Sequence, residues 1–307
     1  MPFGVVKLND GTEIPAIAFG TGSALFRKDA TEYVEQALET GFSHIDTAAI
    51  YGNEDTVAKG VRESGLNRSD LYITTKYDGG DIQSAVRTSL TKLDLKHIDL
   101  YLIHFPRLVE KNLETSWQEF EKIKEDGLAK SIGVSNFNLE QLQLLVKTAK
   151  IVPAVNQINF HPYNYASHKA LLEYSAKHGI ITEAYGSLTP ITKTPGGPVD
   201  KPVAAAAKRL GASPVQVILK WVQQKGVVIV TTSSRKEHLT EYLAVADLPD
   251  LTDEEIAAID EAGAKGPTSP MQKRNMAVKA FLTFAFLWFC FRVTWISSRL
   301  AVLLMSK

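Results

Sequence analysis

Eight short apolar runs recur along this chain, most of them followed by a stretch of helical periodicity. This alternation constrains the fold more than any other feature. The runs are IPAIAFGT (14–21), HIDTA (44–48), LYITTKY (71–77), IDLYLIHF (98–105), AKSIGVSNF (129–137), PAVNQINF (153–160), IITEAYGS (180–187) and VVIVTTSS (227–234). All have strand length and composition. Strands that alternate with helices build a parallel sheet through right-handed crossovers, with both faces covered. Eight is the number that closes a (β/α)8 TIM barrel, so the expected fold class is α/β in that form. A doubly wound sheet competes, because FGTGSAL (19–25) partly imitates a dinucleotide fingerprint. Leu25 stands where the third glycine belongs and no helix opens inside the stretch, so the barrel is preferred.

Local signals support the helices between the runs. Asp29 with Glu32 reads as a capping box opening a helix that Gly41 stops. Ser213-Pro214 gives a cap and an N1 proline ahead of Val215, Ile218, Leu219 and Val222. Ile82, Val86, Leu90 and Leu93 form another apolar stripe, and Thr252 with Glu255 caps a final helix. Near the start, VVKLNDGTEIP (5–15) reads as a hairpin turning at Asp10-Gly11 and plugging the bottom of the barrel.

Composition narrows the function. The 307 residues are 45% hydrophobic and 22% charged, ordinary globular proportions, with a formal net charge of zero. Nothing pulls such a chain globally toward nucleic acid. One cysteine, Cys290, makes neither an internal disulfide nor a thiolate metal site, and the seven histidines lack paired ligand spacing. No metal is expected, and a reducing, cytoplasmic location is. The charge is uneven: beyond Glu261 there are seven bases and no acid, whereas residues 1–261 carry 27 bases against 34 acids.

That asymmetry divides the chain into a barrel over 1–267 and a basic, hydrophobic tail over 268–307. Within the tail, AFLTFAFLWFCF (280–291) is uncharged and aromatic, then interrupted by Arg292 and Arg299. Three readings stay open. Residues 280–305 anchor the protein in a membrane, or form a helix lying on a surface, or are a mispredicted gene end.

Function in a barrel gathers at the C-terminal ends of the strands. Those ends carry Asp46 after the second run, Lys76 after the third and His104 after the fourth, with Tyr51 on the loop beyond Asp46. Each alone has a plain explanation: a helix-side cap, a solvated strand end, a core histidine or a packed aromatic. Together, four ionisable groups at neighbouring strand ends are hard to assign to packing. A free tyrosine is a poor acid near neutrality. A lysine ammonium beside it is expected to lower its pKa, an aspartate to hold that lysine charged, and a histidine to steer a substrate oxygen. The set suits protonation of a carbonyl that becomes an alcohol. No side chain supplies a hydride, so a cofactor must.

The stretches GFSHIDTAAIYGNE, LYITTKY, LYLIHFP, GVSNF, NQINFHPY and AYGSL occur in the order and spacing of the aldo-keto reductases. Over roughly residues 3–267 the chain resembles that family, most closely its fungal ketoreductase branch. The resemblance implies Tyr51 as general acid, with Asp46, Lys76 and His104 completing a tetrad. It implies a nicotinamide held at its carboxamide by Ser135, Asn136 and Gln157 and stacked on Tyr185, with Gly20, Thr21 and Ser187 also against the cofactor. The adenosine phosphate end would lie at Thr231, Thr232, Ser233, Ser234, Arg235 and Glu241. NADPH is expected over NADH, although Thr231, Thr232 and His238 replace residues that commonly grip its 2′-phosphate; Arg235 and Lys236, with Ser233 and Ser234, are the substitutes. Gly22 stands where the family often has an aromatic, which removes one pocket wall. Phe26 and Phe105 are expected substrate contacts, and Trp117 is either another or a core residue on a stripe with Phe120.

The resemblance suggests a monomer and a small carbonyl substrate such as an α-keto ester, keto amide or dicarbonyl. Two other functions compete. A cofactor-binding regulatory module, like the channel β-subunits similar to this family, would bind nicotinamide with little turnover. A Schiff-base aldolase would use Lys76 as a nucleophile and need no nicotinamide.

Overall fold

The computed structural model describes residues 3–267. It opens with β1 (Val5–Lys7) and β2 (Glu13–Pro15), followed by β3 (Ile17–Gly20), α1 (Thr31–Thr40), β4 (His44–Asp46) and α2 (Glu54–Glu63). Next come β5 (Tyr72–Tyr77), α3 (Ile82–Leu93), β6 (Ile98–Ile103), α4 (Leu113–Glu125), β7 (Ala129–Ser135) and α5 (Leu139–Thr148). Then follow β8 (Val155–Asn159), α6 (Pro162–Lys177), β9 (Ile181–Tyr185), α7 (Thr189–Thr192), α8 (Asp200–Leu210) and α9 (Pro214–Gln224). The described part ends with β10 (Val228–Thr231), α10 (Lys236–Leu243) and α11 (Asp253–Ala264). Eight parallel strands close a barrel in the order β10-β3-β4-β5-β6-β7-β8-β9. This is the (β/α)8 architecture expected from the eight runs.

The run IPAIAFGT does not form one strand. It divides at Ala16: Glu13–Pro15 pairs antiparallel with β1, while Ile17–Gly20 enters the barrel between β10 and β4. The hairpin turns at Gly11, whose φ of +86° favours glycine, and carries Leu8 and Ile14 into an apolar cluster. Tyr72, Val155 and Val228, the first residues of β5, β8 and β10, share that cluster, so the hairpin fills the N-terminal end of the barrel. Each such side chain, fully buried, contributes about 1.5–3 kcal/mol.

Ser213 and Thr252 cap α9 and α11, each in a reciprocal box with Gln216 and Glu255. Asp29 does not cap α1. The cap position is Ala30, and Asp29 instead accepts the Thr31 amide at 2.9 Å, because the helix starts one residue later than the pattern suggests. Gly41 ends that helix in the left-handed region, as expected. Among the described residues no helix is long and apolar enough to cross a membrane. The readings of 268–307, including an anchor over 280–305, lie outside the described residues.

Candidate active site

Period-two alternation points the last inward residue of each strand at one mouth of the barrel. Asp46 ends β4, Lys76 is the penultimate residue of β5, and His104 directly follows β6. Tyr51 closes a short 3-10 turn over Ala49–Tyr51, and Gly52 behind it takes φ +63°. Four chain segments thus bring the expected four side chains together.

Lys76 is wholly buried. Its Nζ donates to Asp46 Oδ1 at 2.7 Å and to the Thr47 carbonyl at 2.8 Å, and it lies 5.3 Å from the centre of the Tyr51 ring. Burial alone would depress the lysine pKa, but the Asp46 charge and the hydrogen bond to it outweigh that, and the ammonium is held above its ordinary range. Tyr51 departs from expectation. Burial raises its pKa more than Lys76 lowers it, so the phenol keeps its proton at neutral pH. His104 packs edge-on to Tyr51, with ring centres 5.6 Å apart, and burial with Lys76 and Arg107 nearby pushes its pKa down to about 3. A neutral imidazole there offers a hydrogen bond, not a proton from a cation.

Asp46, Tyr51 and His104 line a cavity of about 540 Å³, with Lys76 buried behind them. Of the expected cofactor and substrate residues, Gly20, Phe26, Phe105, Ser135, Asn136, Gln157, Tyr185, Ser187, Thr231 and Thr232 also line it. Thr21 lies beneath the rim, its amide and hydroxyl both directed to the Asp46 carbonyl. Ser135 Oγ donates to the Gln157 carbonyl at 2.8 Å, Asn136 Nδ2 donates to the His104 carbonyl at 2.9 Å, and the Tyr185 hydroxyl donates to Asn136 Oδ1 at 2.7 Å. Phe105 stacks on His104, and Phe26, 40% exposed, meets Tyr51 edge-on.

Other expected residues do not line this cavity. Ser233 bonds His238 Nδ1 at 3.2 Å, Arg235 pairs with Glu237 at 3.6 Å, and Lys236 with Glu39 at 3.1 Å, all around the start of α10. Glu241 accepts the Ser213 hydroxyl at the cap of α9. The substrate reading of Trp117 is corrected: the ring is buried, stacked on Phe120, and donates Nε1–H to the Ile151 carbonyl at 2.9 Å. It is a core residue.

Three features escaped the sequence. Gly22 lies so close to Tyr51 that a Cβ added there would sit 2.9 Å from Tyr51 Cζ. Asn53, fully buried, donates to the carbonyls of Thr21 and Leu25 at 3.0 Å each and so ties the first loop to the tyrosine loop. Glu183, inside β9, is fully buried beneath Gln157. Asn53 follows Tyr51 within the same motif and was the readable one; a glycine contact and an inward acid leave no periodic signal.

The chain matches the family model described as the aldo/keto reductase family over residues 16–264. It is 40% identical to an NAD/NADP-dependent indole-3-acetaldehyde reductase of Schizosaccharomyces pombe over 268 residues, covering 83% of this chain and 93% of that protein. It is 37% identical to a glyoxal reductase of Bacillus subtilis, covering 83% and 91%. Among solved structures, an aldo-keto reductase of Bombyx mori in complex with NADP superposes with a TM-score of 0.75 at 34% identity, covering 84% of this chain and 92% of that one.

Proposed function

The chain belongs to the aldo/keto reductase family, and from that membership we propose that it reduces an aldehyde or ketone to an alcohol with NADPH, Tyr51 giving the proton. The observation that carries this reading is a neutral Tyr51 phenol set between a buried ammonium and a neutral imidazole at the wall of one cavity.

The cavity suits a polar planar ligand. Ser187 Oγ and His104 Nδ1 are buried without hydrogen-bond partners, and Tyr185 lines the same wall. Ser135, Asn136 and Gln157 would hold the carboxamide, and Tyr185 would face the ring. A nicotinamide held there would supply the hydride that no side chain can. Tyr51 holds its proton at Oη and releases it to the carbonyl oxygen as negative charge develops there. Lys76, kept charged by Asp46, stabilises the phenolate left behind. His104 orients the same oxygen by a hydrogen bond. Phe26 and Phe105 cover the apolar part of the substrate.

The phosphate end favours NADPH over NADH through Arg235 and Lys236. Their present partners, Glu237 and Glu39, form exposed pairs worth about 0–1 kcal/mol, which an anion displaces at little cost.

A Schiff-base role for Lys76 is disfavoured, because that chemistry needs a neutral amine and this one is held charged. The test is loss of NADPH absorbance with a panel of aldehydes, α-keto esters and dicarbonyls, with the alcohol product identified. Tight NADPH binding without turnover on any of them would favour the regulatory-module reading instead.

A further inference from the structure

Glu183 is the buried acid that the proposed chemistry leaves unused. It sits in the middle of β9, fully enclosed, and its Oε2 accepts from Gln157 Nε2 at 3.1 Å. The same Gln157 nitrogen donates to Asp46 Oδ2 at 2.8 Å. A primary amide has two N–H donors on its nitrogen and two lone pairs on its oxygen. The Asp46 carboxylate, paired with Lys76, only accepts, so this end of the Gln157 side chain has to be the NH2, and Glu183 Oε2 takes its second hydrogen. What remains for a ligand is the carbonyl, Gln157 Oε1, on a residue that lines the cavity.

Resting on the NADPH reading above, we propose that Glu183 is a positioning residue. Together with Asp46 it fixes the Gln157 amide so that an acceptor faces the cofactor's carboxamide N–H. Removing the Glu183 acceptor frees one N–H of Gln157. The amide is then held through Asp46 alone, and it tilts from its place to find a partner for that N–H, carrying Oε1 away from where it would meet the carboxamide. Burial, followed by the Asp46 charge, raises the Glu183 pKa to about 8, so the group works as a neutral acceptor near neutrality. The negative charge is therefore dispensable, whereas the accepting oxygen is not.

Two substitutions separate this role from space filling. Glu183→Gln keeps an accepting oxygen in nearly the same volume, and Glu183→Leu keeps volume without an acceptor. NADPH dissociation constants are measured by quenching of intrinsic fluorescence, which reads affinity whatever fraction of the enzyme is active. Glu183→Leu is expected to weaken NADPH about tenfold, the worth of one net hydrogen bond, with Glu183→Gln within about twofold of wild type. Should Glu183→Leu fail to fold, Glu183→Ala is read in the same way, with melting temperatures recorded for each protein. In a Gln157→Leu background the Glu183→Leu change should have no further effect, because the acid acts through the amide. The proposal is overturned if Leu at 183 binds NADPH as tightly as wild type, if Gln loses as much as Leu, or if the two changes add. Wild type failing to bind NADPH would overturn the functional reading itself, an outcome distinct from these.

Discussion

Lys76 Nζ and Asp46 Oδ1 stand 2.7 Å apart, with the lysine fully buried and the aspartate nearly so. Such a pair is held by its own completeness: each ion has lost its hydration and has the other in its place. Asp46→Leu or Lys76→Met should therefore each lower unfolding free energy by about 3–5 kcal/mol, because the remaining charge is stranded. Asp46→Leu together with Lys76→Met should recover much of that loss. Urea unfolding of the three variants checks this, and a double variant as unstable as the sum of the singles would contradict it.

Gly22 lies against the Tyr51 ring, so a side chain added there meets the phenol directly. Gly22→Ala should push the phenol aside by a few tenths of an ångström. Turnover should fall about tenfold or more, since small misplacements of reacting groups are costly, while NADPH affinity stays near wild type. Steady-state kinetics with fluorescence titration would separate the two. Unchanged turnover would show that the contact does not set the position of the tyrosine.

His104, depressed to about 3 chiefly by burial, stays neutral across the physiological range. The pH profile of kcat/KM should therefore show no inflection near 6.5, the ordinary histidine value. Stability follows the same sign. A histidine with a lowered folded pKa contributes stability that is fully present above about 6.5 and is lost as pH falls toward its folded value. His44, fully buried and held at about 4, acts in the same direction. A histidine inflection in kcat/KM that disappears in His104→Gln would contradict this account.

Glu183 acts in the opposite direction. Its folded pKa of about 8 lies above the unfolded value, so the unfolded chain binds fewer protons between roughly pH 4.5 and 8. Over that window stability should fall as pH rises, by up to about 1.4 kcal/mol per pH unit from this group. The groups facing it are Asp46 on β4, Tyr72 and Lys76 on β5, and Gln157 on β8. Denaturation of wild type and Glu183→Gln across this range isolates the effect, because histidine contributions cancel in the difference. A difference independent of pH would rule it out.

Much of this site was legible because charge at a strand end is conspicuous. Asp46, Lys76 and His104 each interrupt an apolar run just where a barrel has its mouth, and the Tyr51 loop follows a run directly. Glu183 was hidden for the converse reason: in IITEAY an acid between apolar residues reads as the solvent-facing half of an amphipathic strand. Only closure of the barrel makes that half an interior. The Tyr51 pKa was misjudged because a sequence reveals the neighbouring ammonium but not the burial that outweighs it. Asp29 looked like a cap since capping signals tolerate a shift of one residue, and only the backbone decides between positions. Trp117 carried a helical stripe that suits a pocket wall as well as a core, and its bond to the Ile151 carbonyl could not be read from spacing.

The central claim is that Tyr51 gives the proton while NADPH supplies the reducing equivalents. It is tested most directly by single-turnover reduction of an aldehyde by preformed enzyme–NADPH, comparing wild type with Tyr51→Phe. The variant keeps the ring that contacts His104 and Lys76 and loses only the hydroxyl. The rate should drop about 10²–10⁴-fold, the usual worth of a positioned general acid, with NADPH affinity and melting temperature near wild type. A variant that oxidises NADPH at the wild-type rate would contradict the assignment.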